Sequence, residues 1–212
     1  LTASFASGSL SAKAADISFG DALKMSLYFY DANKCGNDVT GKALTWRENC
    51  HTYDSKASLN SAEGLSAASK AAIMEANGGL DTVDVSGGYH DAGDHLKFTV
   101  TMGFSATCLG WSYFNHPDAY KKTGSEAHLL EILKENADYF MKTTYLDSND
   151  EVVTFCYMVG TDDDHSIWTS PEVQTYNRKT YWADASHPSA DAAAESAAAL
   201  ATISLAFADK NA

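Results

Sequence analysis

Positive charge, cysteine and long apolar runs are all scarce in this 212-residue sequence. Lys and Arg number 15 against 28 Asp and Glu, so the formal net charge is -13. Such an acidic surface repels phosphate groups, which argues against nucleic acids and anionic membrane surfaces as partners. No run approaches the roughly 18 apolar residues of a membrane span. We therefore expect neither a nucleic-acid-binding protein nor a membrane protein.

What the sequence does contain is apolar and aromatic. Hydrophobic residues make up 45%, enough for one domain with a sizeable core. Eleven Tyr, nine Phe and four Trp include side chains that can stack on a weakly charged ligand such as a sugar. Residues 1–18 are rich in Ser and Ala and are expected to be a linker or the remnant of a signal peptide. Residues 19–212 form the predicted domain.

Residue patterns predict a mainly helical chain. Helices are predicted for five segments, at 19–32, 62–77, 101–114, 125–145 and 189–208. The segment at 151–159 is short and rich in β-formers, so it is expected to be extended. Long polar loops separate these elements. The sequence thus predicts an all-α scaffold with a little β structure, which carries its functional residues in loops.

The loop with the most unusual composition is 85–98, which reads VSGGYHDAGDHLKF and is called the 85–98 loop below. Its glycines permit backbone paths closed to other residues, and Asp91 and Asp94 can face one cavity from it. One carboxylate of such a pair can take a proton from water while the other holds that water. A structural turn is one alternative, because both carboxylates can accept backbone N–H groups. Direct metal binding is another, with four candidate ligands: His90, Asp91, Asp94 and His95.

Cysteine and histidine cluster in the preceding loop. A Cys35–Cys50 disulfide would contribute about 3 kcal/mol, but it leaves the adjacent His51 without a role. Two thiolates and two imidazoles complete a closed zinc site, and His95 is the natural fourth ligand. The other cysteines have apolar neighbours and are expected to be buried free thiols: Cys108 and Cys156.

An aromatic wall is predicted after the extended segment. His165 and Trp168 follow an acidic stretch, and Tyr181-Trp182 comes shortly afterwards. Trp stacks on pyranose faces and His donates to hydroxyl groups, so this region is a candidate sugar-binding surface.

Over residues 19–209 the sequence resembles glycoside hydrolase family 9 endoglucanases, which are cellulases. The specific match is GGYHDAGDHLKF at 87–98, close to the signature of that family. The weaker matches are ALKMSLYFYDA at 22–32, Trp46-Arg47, Cys50-His51, DHSIWTSPE at 164–172 and PSADAAAESAAAL at 188–200.

This resemblance implies an (α/α)6 barrel whose open end binds β-1,4-glucan and hydrolyses it with inversion. Asp94 would be the general base and Asp91 would help to position the water. Four residues would contact the glucan: Tyr89, His90, His165 and Trp168. Some members carry a structural zinc, and the matching residues here are Cys35, Cys50, His51 and His95. Calcium sites also occur in the family, but no complete one can be assigned in this sequence.

The general acid is the part of the resemblance that this sequence does not match. Inversion needs a second carboxyl about 6.5 to 9.5 Å from the base. In the family this is a Glu near the C-terminal end of a longer catalytic domain, and neither Glu172 nor Glu195 lies in its motif. We therefore expect the N-terminal half of a secreted catalytic domain, inactive without the missing C-terminal half of the barrel. Binding modules or a cellulosome are further partners that the resemblance implies.

The sequence also fits a different class of function. The same residues are compatible with a zinc-stabilised carbohydrate-binding fragment that performs no chemistry. Such a fragment would keep the aromatic wall, and the loss of Asp94 would not affect it.

Overall fold

The computed structural model describes residues 18–210, so the prediction for residues 1–18 lies almost entirely outside the described residues. Helices dominate this range, as predicted. The six α-helices described are α1 (Phe19–Asn33), α2 (Ala67–Ala76), α3 (Thr99–Asn115), α4 (Pro117–Thr123), α5 (Glu126–Lys142) and α6 (Ala190–Phe207).

The β structure is more extensive than the sequence predicts. The strands are β1 (Ala57–Ser58), β2 (Thr82–Val83), β3 (Lys97–Phe98), β4 (Thr144–Leu146), β5 (Val152–Val159) and β6 (Thr180–Asp184). β1 and β2 pair with each other, and the other strands form a four-stranded sheet around β5. Because β6 pairs along most of β5, β3 and β4 share the opposite edge of that strand.

Local chemistry explains where the helices begin and end. The Ser18 hydroxyl accepts the Asp21 backbone N–H and caps α1. α2 begins five residues later than predicted because Gly64, at φ +72°, lies against β6 and Ser66 caps the helix. A Cβ on Gly64 would lie 2.3 Å from the Trp182 carbonyl oxygen. The short α4, which was not predicted, begins at Pro117 and is capped at its C-terminal end by Gly124.

Helices α3 and α6 pack closely because two glycines of α3 leave room. A Cβ on Gly103 would lie 2.8 Å from the backbone of Glu195, and a Cβ on Gly110 would lie 2.8 Å from Thr202 Oγ1. Contrary to expectation, α6 is long and apolar enough to cross a membrane by length and composition alone. Its contact with α3 uses part of this apolar surface, and 28% of the helix is buried. Ala199 and Ile203 of α6 belong to the main core, together with side chains of α1, α3 and α5.

The sheet brings two functional segments together. Lys97 of β3 pairs with Val159 of β5, so the end of the 85–98 loop lies beside the chain that leaves β5. That chain turns at Gly160 and enters a short 3₁₀ helix at Asp162–Ser166. Gly160 has a φ of +117°, which favours glycine, and a Cβ there would also lie 2.4 Å from Leu96 Cδ2.

Candidate functional site

Two chain segments, one around Cys35 and one around Cys50, meet beside the 85–98 loop. The Cys35 N–H donates to the Gly88 carbonyl oxygen at 2.9 Å, and the His90 N–H donates to the Asn33 carbonyl oxygen at 2.8 Å. Cys50 pairs with Gly36 through two backbone hydrogen bonds of 3.1 Å. The residues next to the predicted metal ligands are thus held by backbone contacts.

Four buried side chains with metal-binding atoms face one another at this junction: Cys35, Cys50, His51 and His90, called the Cys/His cluster below. Their candidate ligand atoms all lie within 4.8 Å of one another. His51 Nδ1 lies 3.7 Å from Cys35 Sγ and 3.3 Å from His90 Nε2. His90 Nε2 lies 4.0 Å from Cys50 Sγ. Two sulfurs and two imidazole nitrogens at this spacing suit a closed, tetrahedral metal site.

The position of His90 corrects two predictions. His90 was expected to contact substrate, but it is 5% exposed and its Nε2 atom faces the cluster. His95 was expected to be the fourth ligand, but among residues 18–210 it does not join the group. Its ring centroid lies 5.0 Å from that of His90, and its Nδ1 lies 3.7 Å from Asp164 Oδ1. Direct metal binding by Asp91 and Asp94 is not favoured, because His90 faces the thiols.

The surroundings of the cluster favour deprotonated ligands. The Cys35 thiol donates to Cys50, and with the Gly36 backbone and the Arg47 guanidinium it lowers the pKa of Cys50 to about 7, against burial. Arg47 donates to Cys50 Sγ at 3.5 Å. Burial lowers the pKa of His90 against the opposing effect of Cys35, and the imidazoles of His51 and His95 lower it further, which favours the neutral ring. Neutral imidazole and thiolate are the forms that bind metals.

The other two cysteines differ from each other. Cys156 is fully buried, as predicted, and burial raises the pKa of its thiol to about 12. Cys108 is exposed on α3, which corrects the prediction that it is buried. Apolar neighbours in the sequence did not indicate burial here, because α3 is apolar even on faces that the described residues leave uncovered.

Asp94 is held in place by two hydrogen bonds. Its Oδ1 atom accepts the Ala92 backbone N–H at 3.1 Å, and its Oδ2 atom accepts from His165 Nε2 at 3.0 Å. The Asp94 side chain remains 12% exposed. Asp91 lines a small pocket between α1 and α3, together with Tyr30, Asn33 and other residues. The carboxylates therefore lie on one loop, and that of Asp94 is fixed by hydrogen bonds and partly exposed.

The predicted sugar-binding residues differ in how much of each is exposed to solvent. Tyr89 is 6% exposed and packs edge-on against Tyr30 in the core, although it also lines the small pocket that contains Asp91, so its burial does not favour the predicted contact with substrate. Trp168 is 97% exposed, and His165 is exposed beside Asp94. A cleft of about 400 Å³ lies along the 85–98 loop and is also lined by Trp46.

Glu172 and Arg47 join this cleft to the Cys/His cluster. Arg47 Nε donates to Glu172 Oε1 at 2.6 Å, while the same guanidinium reaches Cys50. Burial opposes ionisation of Glu172, but hydrogen bonds from Arg47 and the backbone hold its pKa below the usual range. Glu172 is therefore an ionised, structural carboxylate.

Sequence reasoning missed a buried ionic group under the loop, made of Asp54, Lys97 and Arg178. Lys97 Nζ lies 2.9 Å from Asp54 Oδ2, and Arg178 Nε lies 3.1 Å from Asp54 Oδ1. Lys97 also donates to the carbonyl oxygens of Val85 at 2.5 Å and Gly87 at 3.2 Å. The group thus holds the start of the 85–98 loop, and no local sequence signal identifies it.

Known proteins resemble this chain in sequence and in fold. The Glycosyl hydrolase family 9 profile matches residues 19–212. The chain belongs to this family. Endoglucanase 7 of Oryza sativa subsp. japonica is 32% identical over 194 residues, which cover 91% of this chain and 31% of that protein. The chain thus spans about a third of the length of this curated relative.

Solved structures of the family are similar in fold. The catalytic domain of Clostridium thermocellum CelT matches with a TM-score of 0.86 and 37% identity, over 92% of this chain and 41% of that one. The cellulase Cel9M of C. cellulolyticum matches with a TM-score of 0.73 and 36% identity, over 92% and 40% respectively. The resemblance stated from the sequence is confirmed.

Proposed function

We propose that this family 9 chain supplies the water-activating part of an inverting endo-β-1,4-glucanase that acts on cellulose or a related β-glucan. Asp94 is the general base and Asp91 helps to orient the water. The observation that carries the proposal is the fixing of Asp94 by His165 at 3.0 Å and by the Ala92 N–H at 3.1 Å. A general base needs this kind of fixed acceptor within reach of water.

In this mechanism Asp94 takes a proton from water as the water oxygen attacks the anomeric carbon. A protonated carboxyl on the opposite face gives its proton to the departing sugar oxygen. Glu172 does not suit that role because Arg47 keeps it ionised. Glu195 does not suit it either, because its backbone and Cβ pack against Gly103 in the contact between α3 and α6.

We infer that the acid comes from the part of the family domain that this chain does not span. The match covers 41% of CelT. Residues 19–212 are then about the first half of an (α/α)6 barrel, and this half alone is inactive. Exposed apolar side chains on two helices support the inference, since further helices would cover them: Met25 and Phe29 of α1 and Phe104, Trp111 and Phe114 of α3.

The substrate proposal rests on shape and charge. Trp46 offers an aromatic face in the 400 Å³ cleft, which Ala92 and His95 on either side of Asp94 also line. The exposed Trp168 lies three residues after His165, which contacts Asp94. The net charge of -13 favours a neutral ligand over an anionic one. His165 and Trp168 are the proposed glucan contacts. A polymeric glucan is also consistent with the extracellular location that we propose.

We propose zinc as the metal of the Cys/His cluster. The set of two thiols and two imidazoles fits zinc, and all four side chains are buried. With Nδ1 facing the cluster, His51 donates from Nε2 to Gln174 Oε1 at 2.8 Å, which is the outer contact typical of a metal-bound imidazole. A site closed by four protein ligands stabilises structure and leaves no position for water, so the metal takes no part in the chemistry.

The role of Asp94 can be tested with Asp94→Asn in the full-length protein, assayed on a soluble mixed-linkage β-glucan. We expect turnover to fall about 10²- to 10⁴-fold, because the amide cannot accept the proton from water. Azide, which needs no deprotonation, should restore part of the turnover. An unchanged rate would show that Asp94 is not the base. Glucan binding without hydrolysis by the unsubstituted protein would favour the non-catalytic alternative.

The ligand set can be tested with two matched histidine substitutions. We expect His90→Ala to lose bound zinc during dialysis against a chelator, because one of four ligands is gone. His95→Ala should retain zinc, because His95 lies beside the cluster. Zinc content measured by mass spectrometry decides the point, and the reverse result would restore His95 as the ligand.

A further inference from the structure

The acidic 3₁₀ helix at Asp162–Ser166 contains one buried carboxylate that the proposed mechanism does not use. Asp164 is 3% exposed, whereas Asp162 and Asp163 on the same turn are exposed. A buried carboxylate is costly unless donors surround it. The donors that reach Asp164 therefore indicate what it does.

Those donors come from the 85–98 loop and from residues beside the Cys/His cluster. Asp164 Oδ2 accepts the backbone N–H of His95 at 2.6 Å. Asp164 Oδ1 accepts the Tyr176 hydroxyl and, at 3.4 Å, the Gln174 amide. Gln174 in turn accepts from His51 Nε2 at 2.8 Å. A continuous path of hydrogen bonds thus runs from the Cys/His cluster to the residue that follows Asp94.

The direction of each hydrogen bond is consistent along this path. His51 presents Nδ1 to the cluster, so Nε2 carries the proton that Gln174 Oε1 accepts. The Gln174 NH₂ group then faces Asp164, where only an acceptor is suitable. A carboxylate fulfils this requirement, and it can accept the His95 N–H at the same time.

We propose that Asp164 is a positioning residue, which fixes the backbone at His95 and thereby the place of the Asp94 carboxylate relative to the Cys/His cluster. This inference rests on the proposed function of Asp94. The next residue, His165, contacts the Asp94 carboxylate directly at 3.0 Å. Two consecutive residues of the 3₁₀ helix therefore hold the 85–98 loop. Asp164 binds the loop backbone at His95, and His165 binds the Asp94 side chain.

The test is Asp164→Asn in the full-length, zinc-loaded protein, with Asp163→Asn as the matched control. Asn has one acceptor oxygen, and its NH₂ group would face another donor, so the contact to His95 or the contacts to Gln174 and Tyr176 are lost. A displacement of about 1 Å at a reacting group costs on the order of 10² in rate. We expect kcat for β-glucan hydrolysis to fall by about that factor with KM nearly unchanged. Asp163→Asn should match the unsubstituted protein.

Two further readouts separate positioning from a merely structural role. Zinc content should stay at the unsubstituted level, since Asp164 contacts no cluster residue directly. Hydrogen exchange at the His95 amide should become about tenfold faster or more, because its acceptor is weakened. Unchanged kcat together with unchanged exchange would overturn the inference. Loss of zinc in parallel with kcat would also overturn it, because the effect would then arise in the cluster.

Tyr176→Phe provides a second variant if Asp164→Asn fails to fold. It removes one donor to Asp164 and should lower kcat and His95 protection in the same direction, by smaller factors. No change in either would overturn the inference. Failure of the proposed function would look different, because the unsubstituted protein and Asp163→Asn would then hydrolyse no glucan. The exchange at His95 would still test the anchoring by Asp164.

Discussion

Replacing Lys97 by Met should destabilise the protein strongly, although Lys97 touches no candidate catalytic group. Lys97 Nζ lies 2.9 Å from Asp54 Oδ2, and both side chains are at most 2% exposed. At an effective dielectric constant of about 20, this distance corresponds to about 6 kcal/mol of Coulomb attraction. Desolvation offsets much of it, and removal of one partner of a buried pair typically costs 3–5 kcal/mol. Because Arg178 still faces Asp54, we expect a loss of about 3 kcal/mol.

Urea unfolding of the zinc-loaded protein measures this loss. Lys179→Met is the matched control, because Lys179 lies 2.7 Å from Glu63 in an exposed pair and its removal should leave the midpoint unchanged. The double variant Lys97→Met/Asp54→Asn should lose at least 1 kcal/mol less than the sum of the single variants. A loss below about 1 kcal/mol for Lys97→Met, or strict additivity in the double variant, would refute the argument.

Two further predictions concern stability. Gly110→Ala places a Cβ 2.8 Å from Thr202 Oγ1, so we expect the free energy of unfolding to fall by about 1–3 kcal/mol and the melting temperature to fall with it. Elsewhere in a helix Ala is more favourable than Gly. A higher melting temperature would therefore contradict the expected clash. Burial raises the pKa of Asp54, but Lys97 and Arg178 lower it more, so the net pKa lies below the usual range. The stability from Asp54 is then complete above about pH 4 and is lost as the pH falls through the folded-state pKa. Unfolding free energies from pH 7 to pH 2 should show this loss, and Asp54→Asn should reduce the slope below pH 4.

The site residues that the sequence suggested lie close to one another in the chain, so local composition points to them. Cys50 and His51 are adjacent, and Asp91 and Asp94 lie in one short loop with glycines. Local composition was enough to suggest metal binding and proton transfer there. The predicted helices likewise follow from local patterns, and the errors at their ends arise from contacts such as that of Gly64 with β6.

The parts that the sequence did not predict depend on contacts between distant segments. His90 and His95 both flank the aspartates, and composition does not say which ring faces Cys35 and Cys50. The structure decides it: the His90 N–H donates to the Asn33 carbonyl oxygen, close to Cys35 in the chain, and His90 Nε2 lies 4.0 Å from Cys50 Sγ. Asp164 and Lys97 were missed for the same reason, since their partners lie far away in the sequence.

The 85–98 loop therefore combines a flexible composition with a constrained setting. Gly87 and Gly88 have φ values of +82° and +72°, and glycine loses more backbone entropy on folding than other residues. Lys97 holds the start of the loop at Gly87, the cluster holds its middle at His90, and Asp164 holds the segment after Asp94. These anchors lie on both sides of the two aspartates and leave the Asp94 carboxylate accessible. A substitution at any anchor should therefore reduce the precision of Asp94 before it changes the affinity for glucan, so its effect should be larger on kcat than on KM.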